Sequence, residues 1–179
     1  MPATIRSVAT LGLALALAFA FAQGPTTTYQ NDAYGFIVEH PADWEALEGG
    51  AERNIVDLFD DTGLGFATVA VYALDDLGDV LPTLDAETLI DVVFDGHVMF
   101  AEDAELREGE SVEIAGVSAL VRHFDATSTQ GSGAPITGSL YVALTDDLLV
   151  VISVQANTSA MAAYRPAFDG IVASFVLTR

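Results

Sequence analysis

Cysteine and lysine are both absent from this 179-residue chain, and its six basic residues are all arginine, at positions 6, 53, 107, 122, 165 and 179. Without cysteine there is no disulfide framework, no zinc–thiolate site, no thiol nucleophile and no thioester-linked lipid. Without lysine the phosphate-cradling G-x-x-x-x-G-K-[ST] loop is impossible. Against six cations stand 26 carboxylates, a formal net charge of −20. Nothing in that balance supplies the positive field that a nucleic acid or an anionic membrane surface requires. What the chain has in quantity is apolar residues, 51% of the total, on a length that suits one domain with its own core.

Residues 1–22 (MPATIRSVATLGLALALAFAFA) carry one charge, Arg6, then an unbroken apolar stretch from Leu11 to Ala22 that ends in the small-x-small tripeptide Ala20-Phe21-Ala22. That pattern is a secretory signal peptide with Gln23 as the first mature residue. An uncleaved anchor would need about 20 apolar residues, a length reached only by counting Ser7 and Thr10. The reading is therefore signal peptide 1–22, a flexible polar lead-in 23–28 and one domain over 29–179. It makes the protein extracytoplasmic, periplasmic or secreted, with no stable membrane insertion after cleavage. The acid excess suits a soluble monomer, whether as a solubility device or as salt adaptation.

Strand and helix periods then alternate along the chain. Tyr29 to Glu39 holds an Asn31-Asp32 turn followed by Phe36-Ile37-Val38, and Pro41-Ala42-Asp43-Trp44 is a turn that brings back the only tryptophan. Residues 54–59 and 64–74 are β-rich runs around the Asp60-Asp61-Thr62-Gly63 loop, a hairpin. In the second run Phe66, Thr68, Ala70 and Tyr72 share one face and Ala67, Val69, Val71 and Ala73 the other. Apolar groups on both faces predict a sheet covered on both sides. Residues 84–101 switch to helical spacing, with Ala86, Leu89, Ile90, Val93, His97 and Phe100 in one stripe and Asp85 as N-cap. Strands return over 105–124 with a tight turn at Ile114-Ala115-Gly116-Val117, and a flexible loop follows over 128–134. Two more strands flank Thr145-Asp146-Asp147. Ser159 is placed as the cap of a last helix bearing Met161, Tyr164, Phe168, Ile171 and Val172, in which Pro166 predicts a kink or a late start. Residues 174–177 form a final short strand. The order gives an α+β fold, mostly antiparallel sheet with helices on its faces.

Four landmarks together resemble the PsbP-like superfamily: Tyr34-Gly35-Phe36-Ile37-Val38 leading into Pro41-Ala42-Asp43-Trp44, the helix at 85–101, Val112-Glu113-Ile114-Ala115-Gly116 followed by Ala119, and Ile171-Val172-Ala173-Ser174-Phe175. The resemblance spans 29–177 and lies in the order and spacing of these pieces. It implies an α/β/α sandwich with a central, mostly antiparallel sheet flanked by helices. It also implies a binding or assembly factor rather than an enzyme, acting on an envelope protein partner. The resemblance implies, for the family's plant photosystem subunit, contact made partly through basic residues; with only five arginines after the signal segment and no lysine, this chain is closer in character to the exported bacterial branch.

Candidate chemistry is sparse. No G-x-S-x-G elbow occurs; the nearest fragments are Gly131-Ser132-Gly133, which reads as a loop, and Gly116-Val117-Ser118-Ala119, which reads as a hairpin turn. His40 and His123 stand near strand ends and His97 lies in the helical apolar stripe, none with metal-binding spacing. No catalytic or cofactor-binding residue is therefore assigned, no cofactor is expected, and a hydrolase of unrecognised type would run through His123 or His97. Glu87, Asp91 and Asp95 form an acidic helical stripe whose members repel. Together with the loop acids Asp60-Asp61, Asp75-Asp76 with Asp79, and Asp146-Asp147, they leave a calcium-binding module open as an alternative. None matches D-x-[DN]-x-[DN]-G, and a solvated acidic face is the simpler account.

Overall fold

The run Leu148–Asn157 (LLVVISVQAN) has apolar side chains at both odd and even positions, and nine of its ten residues are buried. A strand of that kind must be covered on both faces. The computed structural model, which describes residues 24–49, 54–77, 84–97, 101–129 and 133–178, places it in the interior of the larger of two sheets. The proposed signal segment 1–22 lies outside the described residues.

In chain order the elements are β1 (Thr26–Asn31), β2 (Phe36–Pro41), β3 (Glu45–Gly49), β4 (Ile55–Phe59) and β5 (Gly65–Ala73), then a short 3-10 turn (Leu74–Leu77) and helix α1 (Ala86–His97). There follow β6 (Ala101–Leu106), β7 (Glu110–Ile114), β8 (Val117–Ser128), β9 (Pro135–Leu144), β10 (Leu148–Asn157), helix α2 (Met161–Ser174) and β11 (Val176–Leu177). The larger sheet runs β3-β4-β5-β10-β9-β8-β6, with β7 also on β8; the smaller runs β1-β2-β11. Every pairing is antiparallel. Among the described residues the expected mostly antiparallel sheet with two helices is therefore what forms.

Alternation along β5 and β10 divides the interior in two. Ala67, Val69 and Val71 of β5 with Val150, Ile152 and Val154 of β10 face a core closed by Phe168 and Ile171 of α2, Phe175, Trp44, and Phe36 and Val38 of β2. On the opposite side Ala70, Leu149, Val151, Leu140 and Val142 meet Leu89, Ile90, Val93 and Phe94 of α1. Fully burying a Val, Leu or Ile side chain is worth about 1.5–3 kcal/mol. Neither helix is dispensable to the strands beneath it.

Several local expectations hold and others shift. Asp85 caps α1, its Oδ1 accepting from the Thr88 amide at 2.8 Å. The β7–β8 turn puts Ala115 and Gly116 at φ 53° and 77°, the left-handed pair that a tight hairpin turn demands. The described part of the helix is Ala86–His97, and Ala101, where the sequence pattern ended it, already belongs to β6. Pairing of β1 starts at Thr26, inside the segment read as a lead-in. β3 was not anticipated: its residues are mostly exposed and carry no alternation to read. Ser159 is not the cap of α2. Ala160 holds that position without a side-chain bond, because the Ser159 hydroxyl and amide are both taken by the Asn157 Oδ1, at 2.6 and 3.0 Å. Pro166 lies inside α2 with no late start. It is exposed, as is Ala162, whose carbonyl it denies the usual i+4 amide donor.

Gly138 of β9 stands beside Phe124 and Gln155 in the sheet register. A methyl group there would run into the Phe124 ring and the Val154 carbonyl oxygen. Gly138→Ala is expected to destabilise the fold by about 1–3 kcal/mol, read as a lower urea midpoint at unchanged slope. Gly24→Ala, where the added carbon meets nothing, serves as the neutral control.

Candidate functional site

The acidic groups singled out in the sequence have mostly structural occupations. Glu87 and Asp91 do not repel unrelieved: Arg122, reaching across from β8, sets one guanidinium nitrogen on each carboxylate at 2.5 Å. This corrects the expectation that the stripe's acids repel with no cation in reach, and it could not be seen within the helix's own sequence because the cation comes from a strand, 31 residues beyond Asp91. Asp95 has its side chain outside the described residues. In the β4–β5 loop the Asp60 carboxylate accepts from the Thr62 and Tyr164 hydroxyls and from the Leu64 and Gly65 amides. Burial pushes its pKa up, but those bonds outweigh it and the net shift is downward. The loop acid thus pins the hairpin to α2. Asp147 accepts from the Thr145 hydroxyl at 3.0 Å. Asp75 and Asp76 sit in the 3-10 turn, and Asp79 lies outside the described residues. Among the described residues no group of three or more His, Asp or Glu side chains converges as a metal site would require.

The histidines separate clearly. His40 is buried at the end of β2, donating from Nδ1 to the Pro41 carbonyl at 3.0 Å. Burial lowers its pKa, against a smaller upward pull from that bond. The side chain of His97, at the end of α1, lies outside the described residues, as does the Gly131-Ser132 fragment. Ser118 pairs with Glu113 next to the β7–β8 turn, with no histidine among its register neighbours.

His123 is the one that gains chemical company. It lies in mid-strand on β8 rather than near an end, directly opposite Ser139 of β9. Its Nδ1 is 2.7 Å from the Ser139 Oγ, and its Nε2 is 3.5 Å from a Glu110 carboxylate oxygen on β7. A carboxylate only accepts, so Glu110 favours the tautomer with the proton on Nε2, leaving Nδ1 to accept from the serine hydroxyl. Two residues along β9, Tyr141 shares a hydrogen bond with Ser139. Burial and the nearby Asp169 raise the phenol's pKa, opposed by that bond and by Arg165. Below this row runs a second. Asp125 holds Arg107 and the Thr137 hydroxyl, and both bonds lower its pKa. The two rows cross β6–β9 on the face that also carries α2. Ser139 is 8% exposed and the His123 side chain 38%, so the row opens to solvent at the imidazole.

The sequence reading reached His123 but missed Glu110, Ser139 and Tyr141. The available signal was the alternation of polar residues at 123, 125 and 127 in β8 and at 137, 139 and 141 in β9. Their meeting depends on a register that no single strand encodes.

No family model matches the chain, and no curated protein matches it. Solved structures do. The chain is similar to cyanobacterial PsbP (CyanoP) from Synechocystis, with a TM-score of 0.58 and 17% identity over 85% of this chain and 92% of that one. It is similar to LpqN of Mycobacterium tuberculosis, a protein involved in cell envelope biogenesis, with a TM-score of 0.55 and 13% identity over 87% and 91%. The Ran-binding protein Mog1p of Saccharomyces cerevisiae gives 0.54 and 10% over 86% and 96%. Identities this low speak for the fold alone, and the fold is PsbP-like.

His40 makes a pH signature. Its folded pKa is below the ordinary 6.5, so the unfolded chain binds the extra proton and stability is lost as pH falls through 6.5. The lowered carboxylates Asp60 and Asp125 contribute stability that disappears only as pH falls through and below 3.8. Between about pH 7 and 5.5 the thermal midpoint is expected to drop, and His40→Gln to flatten that drop. Equal pH dependence in both proteins would contradict the assignment.

Proposed function

We propose that this chain is an exported, non-catalytic binding or assembly module of the bacterial cell envelope, an α/β/α sandwich that acts by holding a protein partner. The observation that carries the reading is the PsbP-like fold, shared over nine-tenths of the length of an envelope-biogenesis protein and of a Ran-binding protein. The signal-like segment 1–22 supports export. Among the described residues no helix is long and apolar enough to cross a membrane.

The partner's contact surface is basic or polar, since this chain offers apolar positions framed by acids. Among the described residues Leu47 is the most exposed large apolar side chain, at 59%, on the outermost strand between Glu45 and Glu48. Such a position contributes little to the fold and presents an apolar anchor within a rim of negative charge. The calcium alternative is weaker than the sequence alone implied, because Arg122 already occupies Glu87 and Asp91.

A photo-crosslinking residue in place of Leu47, in the full chain expressed in its host, is expected to yield one discrete adduct with an extracytoplasmic protein. Ala46→Arg, which sets a positive charge beside the same anchor, should weaken the adduct severalfold if the partner surface is basic. No adduct at Leu47, Leu64 or Val176, or retention of the chain in the cytoplasm, would sink the proposal.

A further inference from the structure

We infer that Ser139 is a base-activated hydroxyl that accepts an acyl group from a small, uncharged activated ester. The inference goes beyond the binding role and does not rest on it: it asks for one acylation, not for turnover. Its basis is the geometry of three strands. The Ser139 Oγ lies within hydrogen-bond distance of an imidazole nitrogen, at 2.7 Å, and the other ring nitrogen faces the Glu110 carboxylate at 3.5 Å. A hydroxyl, a base within reach of its proton and a group that orients the base are the elements of an activated serine.

The rigidity of the frame strengthens the case. His123 and Ser139 are register partners in the interior of the larger sheet, and Glu110 is held on β7, whose pairing with β8 is continuous from Glu110 to Ile114. The three backbones are fixed by ladder hydrogen bonds rather than by loops. Tyr141, bonded to Ser139, stands on the same face. Its single O–H is available to donate to the oxygen that develops once the Ser139 oxygen has attacked.

In the step itself, the Ser139 oxygen attacks the ester carbonyl carbon while its proton passes to Nδ1 of His123. The Glu110 carboxylate stabilises the imidazolium through Nε2–H. Collapse of the tetrahedral adduct breaks the bond to the leaving alkoxide, which takes the proton back from His123 and departs as an alcohol. Ser139 keeps the acyl group as an ester, no electrons are exchanged, and no further reactant is needed.

The surroundings restrict the donor. Glu110, Asp125 and Asp169 face this region; the cations near it among the described residues are Arg107, held by Asp125, and Arg165, so anionic donors are disfavoured. Ser139 is nearly buried while His123 is partly open, so the acyl group must be short and must enter past the imidazole.

The test uses the full-length protein with p-nitrophenyl acetate and, separately, a small alkyl fluorophosphonate, followed by intact mass and peptide mapping. One adduct per chain, on Ser139, is expected in the native protein, and none on Ser139 in urea. His123→Gln should slow the labelling by on the order of 10²-fold, and Glu110→Gln by less than about tenfold, since it only orients the base. Should His123→Gln fail to fold, the native-against-urea comparison on the unaltered chain decides alone. Absence of an adduct on native Ser139, equal labelling in urea, or undiminished labelling of folded His123→Gln would each overturn the inference.

Discussion

Burial of β10 on both faces is the constraint from which the rest of the structure follows. A strand with Leu149 and Val151 on one side and Val150, Ile152 and Val154 on the other gains its full apolar transfer energy only when each side is covered. β5 and β9 satisfy its backbone from either flank. α1 closes one face. α2, with β2 and Trp44 behind it, closes the other. The small sheet β1-β2-β11 belongs to that second cover: Phe36, Val38 and Phe175 complete it, and β11 ties Val176 and Leu177 to β2.

Charge is distributed to protect this arrangement. The outer strands of the larger sheet carry acids along their length, Glu45 and Glu48 on β3 and Glu102, Asp103, Glu105, Glu110 and Glu113 along β6 and β7. Like charges at an open edge oppose the pairing of one copy with another, and a net −20 adds repulsion between molecules. A bulge between Glu102 and Glu105, with Asp103 at φ 52°, breaks the straightness of one edge as well. Two of the scarce arginines hold a carboxylate against the sheet. Arg122 clasps α1 through two of its acids, and Arg107 holds Asp125. Arg122 is the more sheltered of the two, 18% exposed, which makes the helix-to-strand clasp less screened than an open surface pair.

How much of this could be read beforehand depends on the range of the interaction. Asp85 as a cap, the Ala115-Gly116 turn and the double-faced character of β5 are local consequences of residue type and spacing, and each stands as read. Ser159 failed as a cap because an equally local competitor, Asn157, sat two residues upstream and took the same groups. β3 was invisible because exposed strands at a sheet's edge need no apolar alternation. The site is the least legible part. Glu110, His123 and Ser139 come from three strands, and each is ordinary in its own segment; only the β7–β8 and β8–β9 registers make them neighbours. The Arg122 clasp was hidden for the same reason.

The central claim, that β10 is the strand on which both cores depend, is tested most directly by native-state amide hydrogen exchange. The amides of β10 should exchange only through global unfolding, with protection equal to the full stability of the fold, while those of β1 and β3 open locally and exchange earlier. Exchange in β10 as fast as in β1 or β3, in protein whose Trp44 remains buried by fluorescence, would contradict the account.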